Sequence, residues 1–200
     1  MKTCNIFHHD LNIQDLGCLH NSCKNVNAKN KEFIKCETDP KTDLKYCYSQ
    51  LFYHKKSHIT VTTPIMVCPF GISNTGSNFN MCLQFTNYMS DPDMKNFHGF
   101  IQHCEYKQME FLGLDEEDED LFISQIKYDK KNKYDPNLQV KIPFSYNKFQ
   151  CDIYSDNYDG ISIMNISKFS KLQCDIYLDK IWKYNDNYIS KWKVKMIHVL

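Results

Sequence analysis

Apolar and polar residues alternate with a period of two in several stretches of the chain, the pattern of β-strands that have one buried face. In the first half, HITVTTPIMV begins at residue 58 and NFNMCLQF at residue 78, and the turn-forming residues SNTGS separate them. Two strands joined by such a turn predict a hairpin. After residue 133 the period of two returns in a series of short segments: LQVKI, FQCDIY, ISIMNI, LQCDIYL and ISKWKVKMIHV.

Between these groups of strands, the apolar period changes to three or four residues, as in an amphipathic helix. Four apolar residues follow this spacing: Phe97, Phe100, Ile101 and Cys104. Asp91 directly before Pro92 is typical of a helix start. The pattern predicts a helix near residues 92–112. The whole chain is then mainly β (α+β), an antiparallel barrel or sandwich with one inserted helix.

Residues 1–57 differ from the rest of the chain because they are polar, rich in Asn and Lys, and weakly periodic. We interpret them as a Cys/His-rich appendage, in part without regular structure, attached to a β-barrel domain over residues 58–200. The appendage holds four candidate zinc ligands: Cys18, His20, Cys23 and Cys36. Such ligands can hold tetrahedral zinc and so order a polar segment. The alternative is that the cysteines reflect local composition and that the protein has no cofactor.

The net charge is zero, but the charges are distributed unevenly along the chain. Residues 59–126 carry 10 acidic side chains and 2 lysines, whereas residues 127–200 carry 13 lysines and 8 acidic side chains. Local fields of this kind govern the binding of polyanions more than the net charge does. The acidic run LDEEDEDLF, residues 114–122, is interpreted as a solvated, self-repelling face; the alternative is a mimic of nucleic-acid charge.

The last predicted strand places Lys191, Lys193 and Lys195 on one face, and Trp192, Val194 and Met196 alternate with them on the other. Lysines neutralise phosphates, and aromatic rings stack on bases, so this basic end can bind single strands. The aromatic candidates of this region include Tyr154, Tyr177 and Trp182. An equally simple interpretation is a solvated outer face whose lysines protect a strand from aggregation.

Motifs of catalysis, membrane insertion and export are absent from the sequence. It contains no GxSxG, no phosphate loop, no GxGxxG and no HExxH, so we expect a protein that is not an enzyme. The apolar stretch PIMVCPFGI is too short to span a membrane, and the N-terminus lacks the apolar core of a signal peptide. We therefore expect a protein that is not secreted and whose ten cysteines are reduced thiols or metal ligands.

Three stretches together resemble a family: TTPIMVCPFGIS at residues 62–73, KYDPNLQVKI at 133–142 and LDKIWKYNDNYISKWKVKM at 178–196. Their order is similar to that in small proteins of nucleocytoplasmic large DNA viruses that are likened to phage-type single-stranded-DNA-binding proteins. The resemblance covers about residues 58–200. It implies a partly open β-barrel of oligonucleotide-binding type, and it points to five residues of the chain: Lys141, Trp182, Lys191, Trp192 and Lys193.

The function implied by this resemblance is single-stranded nucleic-acid binding, without sequence preference, in viral DNA replication or recombination. Viral replication proteins would be its partners, the host cytoplasm, a viral factory or the virion its location, and a homo-oligomer remains open. Combined with the residue pattern, the expected binding site consists of Lys141, Tyr154, Tyr177, Trp182, Lys191, Lys193 and Lys195. The alternative is a structural or interaction protein of the virus that has lost, or never had, nucleic-acid binding.

Overall fold

The computed structural model of the chain describes residues 4–19, 37–41, 43, 45–47, 50–53, 56–57 and 59–200. Its N-terminal strands are β1 Cys4–Phe7, β2 Leu16–Leu19, β3 Glu37–Thr38, β4 Lys45–Cys47, β5 Gln50–Tyr53 and β6 Lys56–Ser57. The next strands are β7 Ile59–Thr62, β8 Met66–Cys68, β9 Ser73–Thr75 and β10 Asn78–Gln84, followed by the helix α1 Pro92–Leu112. The remaining strands are β11 Ile126–Lys127, β12 Asn137–Ile142, β13 Phe144–Ser145, β14 Lys148–Phe149, β15 Asp152–Ser155, β16 Ser170–Tyr184 and β17 Asn187–Val199.

Five strands close a barrel: β8 pairs with β10, β10 with β12, β12 with β17, β17 with β16, and β16 returns to β8. The contact of β12 with β17 is parallel, and the other contacts of this ring are antiparallel. Two of the contacts are short, because β8 and β10 share one residue pair and β12 and β17 share two. The structure confirms the predicted mainly β barrel with one inserted helix, and five strands is the number in an oligonucleotide-binding barrel.

β7 and β8 follow one another along the same neighbouring strand and are separated by an interruption. β7 and β8 both pair with β16, β7 through residues 60–62 and β8 through residues 66–68, and Thr63–Pro64–Ile65 lies between them. Pro64 has no N–H to donate to a neighbouring strand, so the ladder is interrupted at this point. The predicted hairpin of the segments that begin at residues 58 and 78 is only partly formed, because β8 and β10 share a single residue pair. The turn at Gly76, which has a positive φ, joins β9 to β10 instead.

The hairpin of β16 and β17 is the longest pairing in the described chain, and it contains two β-bulges. Ile176 faces Val194 and Asp175 faces Met196, so β17 carries one extra residue, Lys195. The bulge shifts the alternation that was predicted for this strand. Met196, predicted on the inner face, is half-buried, and Ile197 is fully buried in its place.

A second bulge lies on the opposite strand of the same hairpin. Leu178 faces Trp192 and Ile181 faces Ser190, which leaves one extra residue on β16 within Asp179–Lys180. The backbone oxygen of Asp179 accepts a hydrogen bond of 3.2 Å from Ser190 Oγ. This bond fixes the bulged segment against β17.

Helix α1 begins and ends where the sequence predicts. The carboxylate of Asp91 accepts hydrogen bonds from the backbone N–H groups of Asp93 and Met94, and Gly113 ends the helix in the left-handed conformation. Gln108 on α1 donates a buried hydrogen bond of 3.0 Å to Ser190 Oγ. The helix is therefore attached to the same serine that holds the bulge of β16.

Among the described residues, two apolar clusters stabilise the structure. The larger one fills the barrel and extends under α1; its largest fully buried side chains include Phe85, Phe97, Phe100, Met66, Met81 and Leu83. The smaller one lies between the C-terminal end of α1 and the β16–β17 hairpin, and contains Phe111, Leu112, Phe122, Ile181 and Tyr188. The hairpin is thus supported on its inner side along much of its length.

The described part of residues 1–57 packs on the barrel domain. β1 pairs in parallel with β7, and β4 is antiparallel to β16. Ile6 and Leu11 are buried in the larger cluster, and Asn96 of α1 donates a hydrogen bond of 3.1 Å to the Leu11 backbone oxygen. The division of the chain near residue 57 stays a prediction.

One predicted strand is wrong. The segment ISIMNI forms a 3-10 helix at Ile163–Asn165 instead of a strand. Ser162 caps it through a capping box with Asn165, and Ile163 and Ile166 are buried at a spacing of three. Local side-chain capping therefore overrides the alternating pattern at this point.

Candidate nucleic-acid interface

Three of the predicted lysines meet on the outer face of the barrel. Lys141 on β12 and Lys193 on β17 are direct cross-strand neighbours in the parallel contact, and Lys191 lies two residues before Lys193 on the same face. All three side chains are half-buried, and Val140 and Trp192, their neighbours in sequence, point into the core. We refer to Lys141, Lys191 and Lys193 as the lysine cluster.

The surroundings of Lys141 within the lysine cluster disfavour its charge. Burial lowers the pKa of Lys141, and the positive charges of Lys191 and Lys193 lower it further, while Asp179 acts in the opposite direction. Like charges on directly paired residues destabilise a sheet. A nearby anion would reverse this effect by favouring the protonated form of Lys141.

Asp179 brings a negative charge to this face. Its Oδ2 lies 2.7 Å from Lys193 Nζ, and the side chains are 14% and 23% exposed respectively. The indole Nε1 of Trp182 donates to the same Oδ2 over 3.4 Å. One carboxylate oxygen therefore receives both a lysine and an indole N–H.

Two aromatic residues border the lysine cluster. Tyr177 on β16 is the cross-strand neighbour of Lys193, and its pKa is raised by burial and by the negative charge of Asp179. Trp182 is half-buried, and Lys180 Nζ lies 5.4 Å from the centroid of its ring. This is a cation–π distance.

Lys195 and Tyr154 lie elsewhere. Lys195 is the exposed extra residue of the β17 bulge, so it does not continue the row of Lys191 and Lys193. Tyr154 on β15 pairs with His198 and stacks on its ring at 4.3 Å between centroids. At about 3.3 Å of rise per residue, His198 is roughly 16 Å along β17 from Lys193. Only five of the seven predicted site residues come together.

The resemblance also pointed to Trp192, but this residue is 2% exposed inside the barrel. Its ring therefore packs in the core and cannot stack on a base. Asp179 is the residue that was not among the candidates. Its signal was its position two residues after Tyr177, because residues i and i+2 of a strand share a face.

The zinc prediction lies largely outside the described residues, since these include only the backbone of Cys18 among the four candidate ligands. In the part of the chain that the structure describes, no group of three or more His, Cys, Asp or Glu is placed to hold a metal ion.

The acidic run forms a 3-10 helix at Glu116–Leu121. Directly after this helix, the backbone N–H of Ile123 donates a hydrogen bond to the backbone oxygen of Tyr188 in the β16–β17 hairpin.

No family model matches the chain. A segment of 55 residues is 40% identical to an uncharacterized protein of Acanthamoeba polyphaga mimivirus, and the match covers 24% of this chain and 9% of that protein. The chain thus spans about 9% of the length of this relative.

Among solved structures, the chain is similar to gp2.5, a single-stranded DNA binding protein encoded by bacteriophage T7. The similarity covers 70% of this chain and 85% of the phage protein, with 12% sequence identity and a TM-score of 0.47. Within the described residues, no helix of this chain is long and apolar enough to cross a membrane.

Proposed function

We propose that the protein binds single-stranded nucleic acid, without sequence preference, through the lysine cluster. The observation that carries this proposal is the direct pairing of Lys141 with Lys193 on a half-buried outer face, with Lys191 close to both. Asp179 supplies one negative charge against these three positive ones. The row of phosphates in a nucleic-acid strand would offset the remaining repulsion.

Aromatic stacking is the second part of the proposal. Tyr177 and Trp182 lie beside the lysine cluster on β16, and base–aromatic stacking contributes about 1–3 kcal/mol per base. Stacking tolerates every base because each has a flat aromatic face. A strand bound in this way is held without readout of base edges.

The wider role that we propose is the coating of single strands during replication or recombination of a viral DNA. Its support is the family resemblance of the sequence and the viral origin of the 40% identical segment. Replication proteins as partners, a viral factory or virion as the location, and the absence of enzymatic activity belong to the same proposal.

The test is a fluorescence-anisotropy titration of a labelled oligothymidylate at low and at moderate salt. The variant carries Lys141→Gln, Lys191→Gln and Lys193→Gln. The control carries three Gln substitutions in an exposed loop at residues 130, 131 and 133, which are also lysines. Both variants lose the same charge, so a general loss of positive field affects them alike.

We expect the cluster variant to bind about 10- to 100-fold more weakly at low salt, with a salt slope reduced by about 2, because each neutralised phosphate contributes about 0.7. The control should keep most of the affinity. Equal loss in both variants would show that the site is elsewhere. Absence of wild-type binding at low salt would eliminate the proposal, and an RNA oligonucleotide in parallel would decide between DNA and RNA.

A second candidate function is a protein contact in a virus particle or factory. Phe70 and Phe169 are 62% and 72% exposed, and they lie on neighbouring turns, since the Phe169 N–H donates to the Cys68 oxygen over 2.7 Å. Exposed aromatic residues are common at protein interfaces. This candidate predicts no strand binding and contacts that are insensitive to salt.

A further inference from the structure

One carboxylate oxygen of Asp179 lies between the lysine cluster and the indole of Trp182. Oδ2 of Asp179 is 2.7 Å from Lys193 Nζ and receives the N–H of Trp182 over 3.4 Å. The two donors converge from different strands, β17 and β16. Such convergence defines a position for an anionic oxygen.

The position is fixed by the fold. The β16 bulge places Asp179 there, and the backbone oxygen of Asp179 accepts from Ser190 Oγ over 3.2 Å. Ser190 in turn receives the buried hydrogen bond from Gln108 of α1. The backbone of Asp179 is therefore held in place by Ser190 of β17 and, through Ser190, by α1.

We propose that Asp179 Oδ2 marks a phosphate subsite of the strand-binding face, and that a phosphodiester oxygen replaces the carboxylate when the strand binds. This inference rests on the proposed function. A phosphodiester carries one negative charge and accepts hydrogen bonds as a carboxylate does, so Lys193 Nζ and Trp182 Nε1 can serve it unchanged. Lys141 and Lys191 would face the same or the adjacent phosphate.

The replacement has a consequence for which ligands bind. A single free anion gains little by displacing an anchored carboxylate that already satisfies the same two donors. A strand brings several phosphates and bases at once, so its further contacts drive the exchange. Asp179 therefore selects continuous strands over inorganic phosphate and mononucleotides.

The replacement also predicts the effect of removing the carboxylate charge. In the wild type, the bound strand leaves the Asp179 carboxylate without its lysine partner, so the carboxylate takes up a cation from solution. This uptake offsets about one of the cations that the strand releases on binding. In Asp179→Asn this offset is absent. The variant should bind the labelled oligothymidylate about 3- to 10-fold more tightly at low salt, with a salt slope steeper by about 0.7.

The matched control is Asp159→Asn, which removes the same charge from an exposed loop residue. When the variants are compared at 0.1 M salt, it should bind within about twofold of the wild type, since the interactions of an exposed charge are strongly screened there. In a competition experiment, the inhibition constant of inorganic phosphate should be lower for Asp179→Asn than for the wild type.

Unchanged or weaker binding by Asp179→Asn, with wild-type binding intact, would overturn the subsite. Weaker binding would show in addition that Asp179 positions Lys193 for the strand. If neither protein binds at low salt, the proposed function fails and the subsite fails with it. Binding by the variant alone would eliminate the proposed function and would overturn the exchange, because the carboxylate would then not be displaced by a strand.

A second measurement uses the wild-type protein and does not depend on how a variant folds. The chain has two tryptophans, so its spectrum contains two indole N–H resonances, from Trp182 and the buried Trp192. The Trp182 resonance should shift on addition of oligothymidylate, because its acceptor changes from carboxylate to phosphate, and that of Trp192 should move much less. A stationary Trp182 resonance in a saturated complex would overturn the proposal.

Discussion

The two faces of β17 contribute to the stability of the fold in opposite directions. The inner face carries Trp192, Val194 and Ile197, each at most 2% exposed in the apolar core. The outer face carries Lys191 and Lys193 beside a third lysine on β12. Burial on the inner face stabilises the fold, whereas the crowding of like charges on the outer face opposes it.

This difference indicates which face of β17 is the better candidate for a binding function. The inner face is explained by folding alone, because its side chains fill the barrel. The outer face has no such explanation, since a neutral polar residue in place of Lys141 would remove both the repulsion and the burial of charge. Groups that reduce stability are typical of binding sites.

The largest effect is expected on the inner face. Trp192→Ala removes a large side chain from the closed barrel and should lower the free energy of unfolding by about 3–5 kcal/mol, because a cavity remains. Urea denaturation measures this loss. The control is Trp192→Phe, which keeps most of the volume and also removes an indole N–H buried without a hydrogen-bond partner. Similar losses in both variants would contradict the role of volume.

The outer face should respond in the opposite direction. Lys141→Met removes the half-buried charge and should raise the free energy of unfolding by up to about 1 kcal/mol. The same substitution should weaken oligothymidylate binding several-fold, because one phosphate contact is lost. Denaturation and anisotropy on the same sample measure both effects. A variant that is less stable than the wild type would contradict the proposed strain.

The pH dependence of stability checks the cause of that strain. The pKa of Lys141 is lowered in the folded state by burial first and then by its lysine neighbours, so the folded protein disfavours the charged form. The penalty is present at neutral pH and is relieved as the pH rises through the folded pKa towards the ordinary lysine value. Lys141→Met should lack this alkaline gain. Strand binding should weaken over the same interval as Lys141 loses its charge.

The smallest effect is expected at the bulge. Lys195→Gln should change oligothymidylate affinity by less than about twofold at moderate salt, because Lys195 is displaced from the row of Lys191 and Lys193 and is screened. Lys193→Gln is the paired variant and should weaken binding clearly more. Equal effects would indicate that the strand follows β17 past the bulge towards Tyr154.

Local sequence patterns were sufficient to predict the structure where it depends on a single helix or strand. The helix at Pro92–Leu112 follows from its apolar spacing and from the cap at Asp91, both of which are local. The alternation in β10 and β12 likewise marks their buried residues. It failed at Ile163–Asn165, where a capping box stabilises a 3-10 turn. It failed again at Met196, where a bulge changes the register.

The amino-acid sequence by itself determined the alternating strands, the helix and the presence of lysines beside aromatic residues near the end of the chain. The tertiary structure alone decided that Lys141 meets Lys193, that Lys195 and Tyr154 stand apart, and that Asp179 enters the lysine cluster. The physical reason is that the parallel contact of β12 with β17 and the two bulges depend on closure of the barrel. Strand closure joins residues that are distant in sequence, and no local period records it.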